Sequence, residues 1–197
     1  LMSGDLTLFG CEKDPAVVVV DGDAAVTRVM SAPEFTDISS AIGGVGVYCN
    51  GPPVGVDDYR RRIGDSRVVL FGWPMPDEVL SGASASFVYL GTGASNFINL
   101  RLAAAHGLAV CNTPGYGNAA VAEHAVGLTL AALRDVVNGD RAMRSGEWPS
   151  SEGSEIGGST VGLVGLGGIG LHAARLFQAF GARTIAWTRT PSAGRAT

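Results

Sequence analysis

Short apolar runs alternate with stretches of helical spacing along the first half of this chain. The run Ala16–Val20 (AVVVV) is β-branched and lies between Asp14-Pro15 and Asp21-Gly22, which marks a buried strand. From Ala24 to Ile42 the apolar positions Val26, Val29, Met30, Ile38 and Ile42 predict a helical stretch, kinked or broken near Pro33. Gly44–Cys49, Arg67–Trp73 and Ser86–Gly91 predict three further strands. A polar helix at Asp57–Gly64 and a helical turn within 74–83 separate them. Four apolar strands with helices between them predict a parallel sheet covered on both faces.

The second half opens with a short helix, Leu100–Gly107, and a strand at Ala109–Cys111 that leads into a turn. A long helix follows, from Ala119 to Val137, about 28 Å at 1.5 Å per residue. Its apolar residues form two sides. Val121, Ala125, Leu128 and Ala132 make one; Val126, Leu130, Leu133 and Val137 make the other. A helix apolar on two sides is expected to lie between layers, domains or subunits. Arg144–Gly158 is a polar loop.

The chemistry concentrates in VGLVGLGGIG, Val161–Gly170. Gly165, Gly167 and Gly170 fit G-x-G-x-x-G. In this pattern the first glycine makes the tight turn, the second lets a pyrophosphate approach the backbone, and the third lets helix pack on strand. The context agrees: an apolar strand precedes the turn, and a helix with Ile169, Ala173, Leu176 and Phe180 on one face follows it. Gly181 ends that helix and Thr184–Thr188 is a second strand. This predicts a dinucleotide site; a purely structural turn is the alternative. An NAD site places Asp or Glu about 20 residues further on. No Asp or Glu occurs between Ile156 and Thr197. Thr188, Arg189 and Thr190 stand there instead, two hydroxyls and a guanidinium suited to a phosphate. The expectation is therefore NADP or NAD, with NADP favoured. A solvated loop arginine at Arg189 is the alternative.

Composition narrows the partners. The 197 residues are 46% hydrophobic and 16% charged, with a net charge of −4, which leaves no electrostatic footprint for nucleic acid. Cys11, Cys49 and Cys111 form no CxxC pair and no ligand cluster, so reduced thiols and no metal are expected. The opening residues lack a signal-peptide pattern and no run is long enough to span a bilayer. The location expected is cytoplasmic, with no membrane partner.

Four ordered pieces, GTG at 91–93, NTPGYG at 112–117, VAEH at 121–124 and the glycine turn at 165–170, resemble the D-isomer-specific 2-hydroxyacid dehydrogenase family. The resemblance is strong over Arg67–Pro191 and weaker before it. It implies an α/β protein: a flavodoxin-like, substrate-binding domain over 1–98 and an incomplete Rossmann-type doubly wound parallel sheet over 99–197, with a cleft between them. It implies that amides near Gly72-Trp73 and Thr92-Gly93-Ala94 hold the carboxylate of a small 2-keto or 2-hydroxy acid. Thr92 and Val121 would approach the cofactor, and Gly168 and Ile169 would lie under its pyrophosphate. Two positions depart from the family, Ser95 and Asn99, where Asp is common.

The resemblance also implies a catalytic Arg, Glu and proton-transferring His well beyond the glycine turn, at positions after Thr197. No catalytic residue is therefore assigned. His106, His124 and His172 read as structural or surface residues; His124 follows Glu123 directly, and neighbours on a helix point about 100° apart. Three readings follow: part of an NAD(P)-dependent 2-hydroxyacid dehydrogenase, a catalytically dead nucleotide-binding or interaction module, or a non-redox enzyme using the inter-domain cleft. The first is preferred, because motifs useful to a whole enzyme are kept. The two-sided helix implies a homodimer.

Overall fold

A computed structural model of the chain describes residues 6–148 and 152–191. Residues 1–5, residues 149–151 of the expected polar loop and residues 192–197 lie outside them. The chain forms two compact units that meet in sequence at Pro114 and Gly115.

The first unit is built on a six-stranded sheet. Its strands are β1 (Leu6–Phe9), β2 (Val17–Val19), β3 (Val45–Tyr48), β4 (Val68–Phe71), β5 (Ser86–Tyr89) and β6 (Val110–Asn112), in the order β1-β3-β2-β4-β5-β6. All neighbours are parallel except the β1–β3 pair. Without the antiparallel edge strand the order is 2-1-3-4-5, the flavodoxin-like winding, whose switch point lies between β2 and β4. The expectation of a flavodoxin-like sheet holds. Strand β1 was not anticipated: LTLF is short and pairs only with its non-local partner, Leu6 opposite Tyr48.

Alternation along the strands sorts the core. Val18, Val20, Val69, Phe71, Phe87 and Tyr89 face one side, with Tyr59 and Ile63 of α3 (Gly55–Ile63), Val79 and Leu80 of α4 (Asp77–Leu80) and Ala103 of α5 (Leu100–Ala105). Phe71 meets Phe87 edge-on at 6.3 Å between ring centroids. On the other side Val19, Val45 and Val47 pack under Val26 and Met30 of α1 (Ala24–Met30). A separate helix, α2 (Pro33–Ala41), follows α1; Pro33 takes its first turn, where a missing N–H costs nothing. That second side is only partly covered, since Leu70 and Val88 remain half-buried.

The second unit holds α6 (Asn118–Leu133), α7 (Val136–Arg144), β7 (Thr160–Val164), α8 (Gly168–Ala179) and β8 (Arg183–Trp187). β7 and β8 pair in parallel, Val164 opposite Trp187, in a two-stranded sheet. Ala122 and Val126 of α6 pack with Ile156, Ala173, Phe177 and Ala182.

Three sequence expectations change. The strand near 109–111 is β6 of the first sheet, not part of the second, and Ala103 of α5 lies in the first core. The compact units accordingly divide at 114/115, whereas the sequence boundary was set at 98/99. The long helix stops at Leu133, because Asp135 adopts φ 47° and turns the chain; its Oδ1 accepts from Asn138 Nδ2 at 2.6 Å. Asp tolerates this left-handed region better than most residues. Finally, the buried face of α8 is Ala173, Ala174 and Phe177, while Ile169 and Phe180 are exposed. No helix among the described residues is long and apolar enough to cross a membrane.

Candidate functional site

The glycine turn joins β7 to α8. Gly165 has φ 107°, a conformation that a side chain strains, and its N–H donates to the Trp187 carbonyl at 2.7 Å. A Cβ on Gly170 would run into the Gly165 carbonyl, so only glycine lets the helix start this close to the strand end. Gly167 is different: a Cβ there would meet nothing within 4 Å. The first and third glycines thus shape the turn, and the second faces open space that a ligand could fill. Gly167 is the N-cap of α8 and offers no side chain to the first N–H groups of that helix. Those amides and the helix dipole suit an anion. A Cβ on Gly168 would run into the side chain of Asn118, at the start of α6.

Because β7 and β8 are parallel and in register, Thr188, Arg189 and Thr190 leave β8 at the same end as the glycine turn. Arg189 and Thr190 are exposed and Thr188 is half-buried. Val121 is 48% exposed on the first turn of α6. The geometry therefore fits a dinucleotide: a glycine cradle, a helix N-terminus and a cationic strand end.

In the first unit the predicted acid-binding residues lie at the carboxyl ends of β4 and β5, which the Leu90 N–H to Phe71 carbonyl bond of 2.8 Å keeps level. Among the described residues, the main-chain N–H groups of Thr92, Gly93 and Ala94 have no protein acceptor. The Thr92 carbonyl accepts from Asn112 Nδ2 at 2.8 Å, which fixes this loop to β6. Gly72 and Trp73 are in another situation. Both of their N–H groups donate to Asp21 Oδ2, at 2.8 and 2.9 Å. A groove of about 430 Å³ is lined by Pro74, Met75, Phe97, Asn99 and Arg101. Asn99 caps α5, accepting from Leu102 N–H at 3.1 Å, and donates to Asp77 Oδ2 at 2.8 Å. Asn supplies both bonds, where an ionised Asp would supply only the first.

Asp21 and a buried arginine, Arg62, were not singled out by the sequence. Arg62 Nη1 donates to the Val20 and Gly51 carbonyls, each at 2.7 Å, and Nη2 pairs with Asp58 Oδ2 at 3.0 Å. Its guanidinium lies 5.1 Å from the Tyr48 ring centroid. Burial pushes the Asp21 carboxyl above its usual range, against the opposing pull of the Gly72 and Trp73 amides and of Arg62. Burial also pushes Asp58 up, but the Val54 N–H and the Arg61 and Arg62 guanidiniums outweigh it and hold Asp58 low. The one available signal was positional: Asp21 directly follows the first parallel strand, at the end where such sheets bind ligands. His106 and His124 are exposed and His172 half-buried. No metal-ligand cluster occurs among the described residues.

A flavodoxin-like sheet followed by a βαβ glycine cradle defines a nucleotide-binding α/β protein. The family model for the D-isomer specific 2-hydroxyacid dehydrogenase catalytic domain matches residues 68–143, and that for its NAD binding domain matches 126–197. The chain belongs to the D-isomer-specific 2-hydroxyacid dehydrogenase family. A D-3-phosphoglycerate dehydrogenase from Mycobacterium tuberculosis is 31% identical over 199 residues, 99% of this chain and 34% of that protein. A glyoxylate reductase from Thermococcus litoralis is 35% identical over 150 residues, 71% of this chain and 45% of that protein. A solved D-isomer specific 2-hydroxyacid dehydrogenase from Polaromonas, described as putative, shares the fold, with a TM-score of 0.74 at 22% identity. It covers 93% of this chain and 58% of that one. The chain thus spans about a third of the mycobacterial relative and rather over half of the solved structure. The match to the NAD binding domain supports a nicotinamide cofactor; similar folds are solved with NAD+ and with NADPH.

Proposed function

We propose that this chain carries the acid-binding unit and the phosphate-binding part of the cofactor unit of an NAD(P)-dependent oxidoreductase. The reaction is hydride transfer between the nicotinamide and a small 2-keto or 2-hydroxy acid. The observation that carries this reading is the division of labour in the turn. Gly165 and Gly170 are needed for its shape, whereas Gly167 guards only open space. A turn that served structure alone would have no use for a glycine at 167.

In this reading the amides of Gly167, Gly168 and Ile169 receive the pyrophosphate, and Thr188, Arg189 and Thr190 receive the adenosine ribose and its phosphate. Val121, on the first turn of α6, would lie toward the nicotinamide. The cofactor, when bound, supplies the hydride; the protein binds, orients and excludes water. NADP(H) is preferred over NAD(H), because Arg189 can pair with a 2′-phosphate and no Asp or Glu stands between Ile156 and Thr197. Isothermal titration of the full chain with both cofactors tests this. Tighter binding of NADPH, lost in Arg189→Ala, supports the preference; tighter NADH binding overturns it. Binding of neither cofactor overturns the reading itself.

We infer also that the uncovered side of α6 joins two copies. Leu128 is 58% exposed there, beside the exposed Ala125 and Ala132. Light scattering after size exclusion should show a dimer that Leu128→Glu separates; a monomer at micromolar concentration overturns this.

A further inference from the structure

The switch point of the first sheet falls between β2 and β4, where the chain leaves neighbouring strands in opposite directions. In open α/β sheets the crevice outside the carboxyl ends at such a point is where ligands bind. Two consecutive amides, Gly72 and Trp73, face that crevice, an arrangement that suits a carboxylate. Here one is already present. Asp21 follows β2, reaches across the switch point, and takes both N–H groups on a single oxygen.

We propose that Asp21 is a positioning residue whose carboxylate permanently fills the Gly72–Trp73 amide pair, so that the carboxylate of the acid is left to the Thr92–Ala94 amides. The proposal rests on the reading of the chain as an acid-binding oxidoreductase. It reverses the expectation that Gly72 and Trp73 hold the substrate.

Charge and geometry agree. A second carboxylate entering beside Asp21 would face an ionised oxygen with no amide left to receive it, and like charges this close repel. The neighbouring amides of Thr92, Gly93 and Ala94 have no such occupant. The segment that Asp21 holds is fixed from other sides too. Tyr59 Oη donates to the Pro74 carbonyl at 2.9 Å, and the Met75 N–H donates to the Phe97 carbonyl at 2.7 Å. Bonds at four successive residues, 72 to 75, fix the backbone of this segment. Arg62 and Tyr59 of α3 are the charged and titratable groups that bear on Asp21, and Asp58 acts through Arg62.

Proton–nitrogen correlation spectra of the full chain test this, with glyoxylate as probe. The Gly72 and Trp73 amide signals should titrate together in acid, with a midpoint above that of an ordinary aspartate. In the isosteric variant Asp21→Asn this titration should vanish. Added glyoxylate should move the Thr92–Ala94 signals and leave those of Gly72 and Trp73 in place. If glyoxylate moves Gly72 and Trp73 in the unaltered chain, or if Asp21→Asn leaves their titration intact, the proposal is overturned. If glyoxylate moves neither group while the titration behaves as expected, the occupancy by Asp21 stands and the acid-binding reading fails.

Discussion

The two units solve the same problem to different degrees. In the first, a six-stranded sheet buries Val18, Val69, Phe71 and Phe87 almost completely under three helices. In the second, α6 and α8 cover one face of β7–β8, and the other face leaves Val164 89%, Trp187 65% and Ile185 50% exposed. The first unit therefore has a closed core and a polar network at its strand ends. The second has a small core and a well-formed glycine turn. The turn needs little tertiary support, because it is set by Gly165 and Gly170 within a few residues of each other. A binding cradle can thus be well defined in a unit whose hydrophobic core is not.

The comparison breaks most readily at the two cores. Phe87→Ala removes a fully buried ring and should cost about 3–5 kcal/mol. Phe177→Ala, 4% exposed in the smaller core, should cost about as much per ring but lose it from a unit with less to spare. Denaturant unfolding followed by fluorescence should show two transitions, with Phe87→Ala moving one and Phe177→Ala the other. A single transition shifted by both would show that the units are not independent. Charges give a parallel contrast. Arg62→Ala takes the donor from the Val20 and Gly51 carbonyls, while Asp58 keeps Arg61 and the Val54 N–H, and should cost about 1–3 kcal/mol. Arg144→Ala removes an exposed pair with Asp140 and should cost about 0.5 kcal/mol or less.

At the turn, the glycines should separate shape from binding. Gly170→Ala forces the Gly165 carbonyl aside, so both melting temperature and cofactor affinity should fall. Gly167→Ala puts a methyl into open space. It should leave the melting temperature nearly unchanged and weaken NADPH binding at least tenfold, about 1.4 kcal/mol. Calorimetry checks both; equal affinities for Gly167→Ala and the unaltered chain would remove the cofactor from this turn.

How much of this was legible in the sequence depended on whether the cause was local. Strands β2 to β5, the break at Pro33 and the glycine turn follow from neighbouring residues, and all are found where their periodicity or spacing places them. Strand β1 was missed because its only partner is β3. The long helix was carried past Leu133 because Val137 continues the apolar spacing, and the left-handed turn at Asp135 interrupts it. At the candidate site, the glycines were legible, while the Asp21 to Gly72–Trp73 contact was not. It joins residues 51 and 52 positions apart and exists only once the strand order is known.

Acid should act on the first unit in two opposite ways. Asp58 is held low when folded, so the stability it adds is full above about pH 4, the unfolded range, and is lost as pH falls through its folded value. Asp21 is held high, so the folded state binds its proton more tightly than the unfolded one. Its contribution therefore rises as pH falls through the raised value and is complete below the unfolded one. Melting temperatures against pH should show Asp21→Asn losing that gain and Asp58→Asn losing the deep-acid decline. The same slope in both variants and the unaltered chain would contradict these assignments.

The smallest effect belongs to the uncovered face of the second unit. Val164→Thr keeps the β-branched shape and replaces one exposed methyl by a hydroxyl that water can satisfy. Its cost should stay within about 0.5 kcal/mol. The same change at Val69, fully buried in the first sheet, leaves a hydroxyl without a partner and should cost about 1–3 kcal/mol. Urea midpoints of the two variants, measured on one preparation, give the ratio directly. A Val164→Thr cost that approaches the Val69→Thr cost would mean that something packs on β7–β8 in solution. The dependence of that cost on protein concentration would then tell a second copy, which dilution removes, from a segment of the same chain, which it does not.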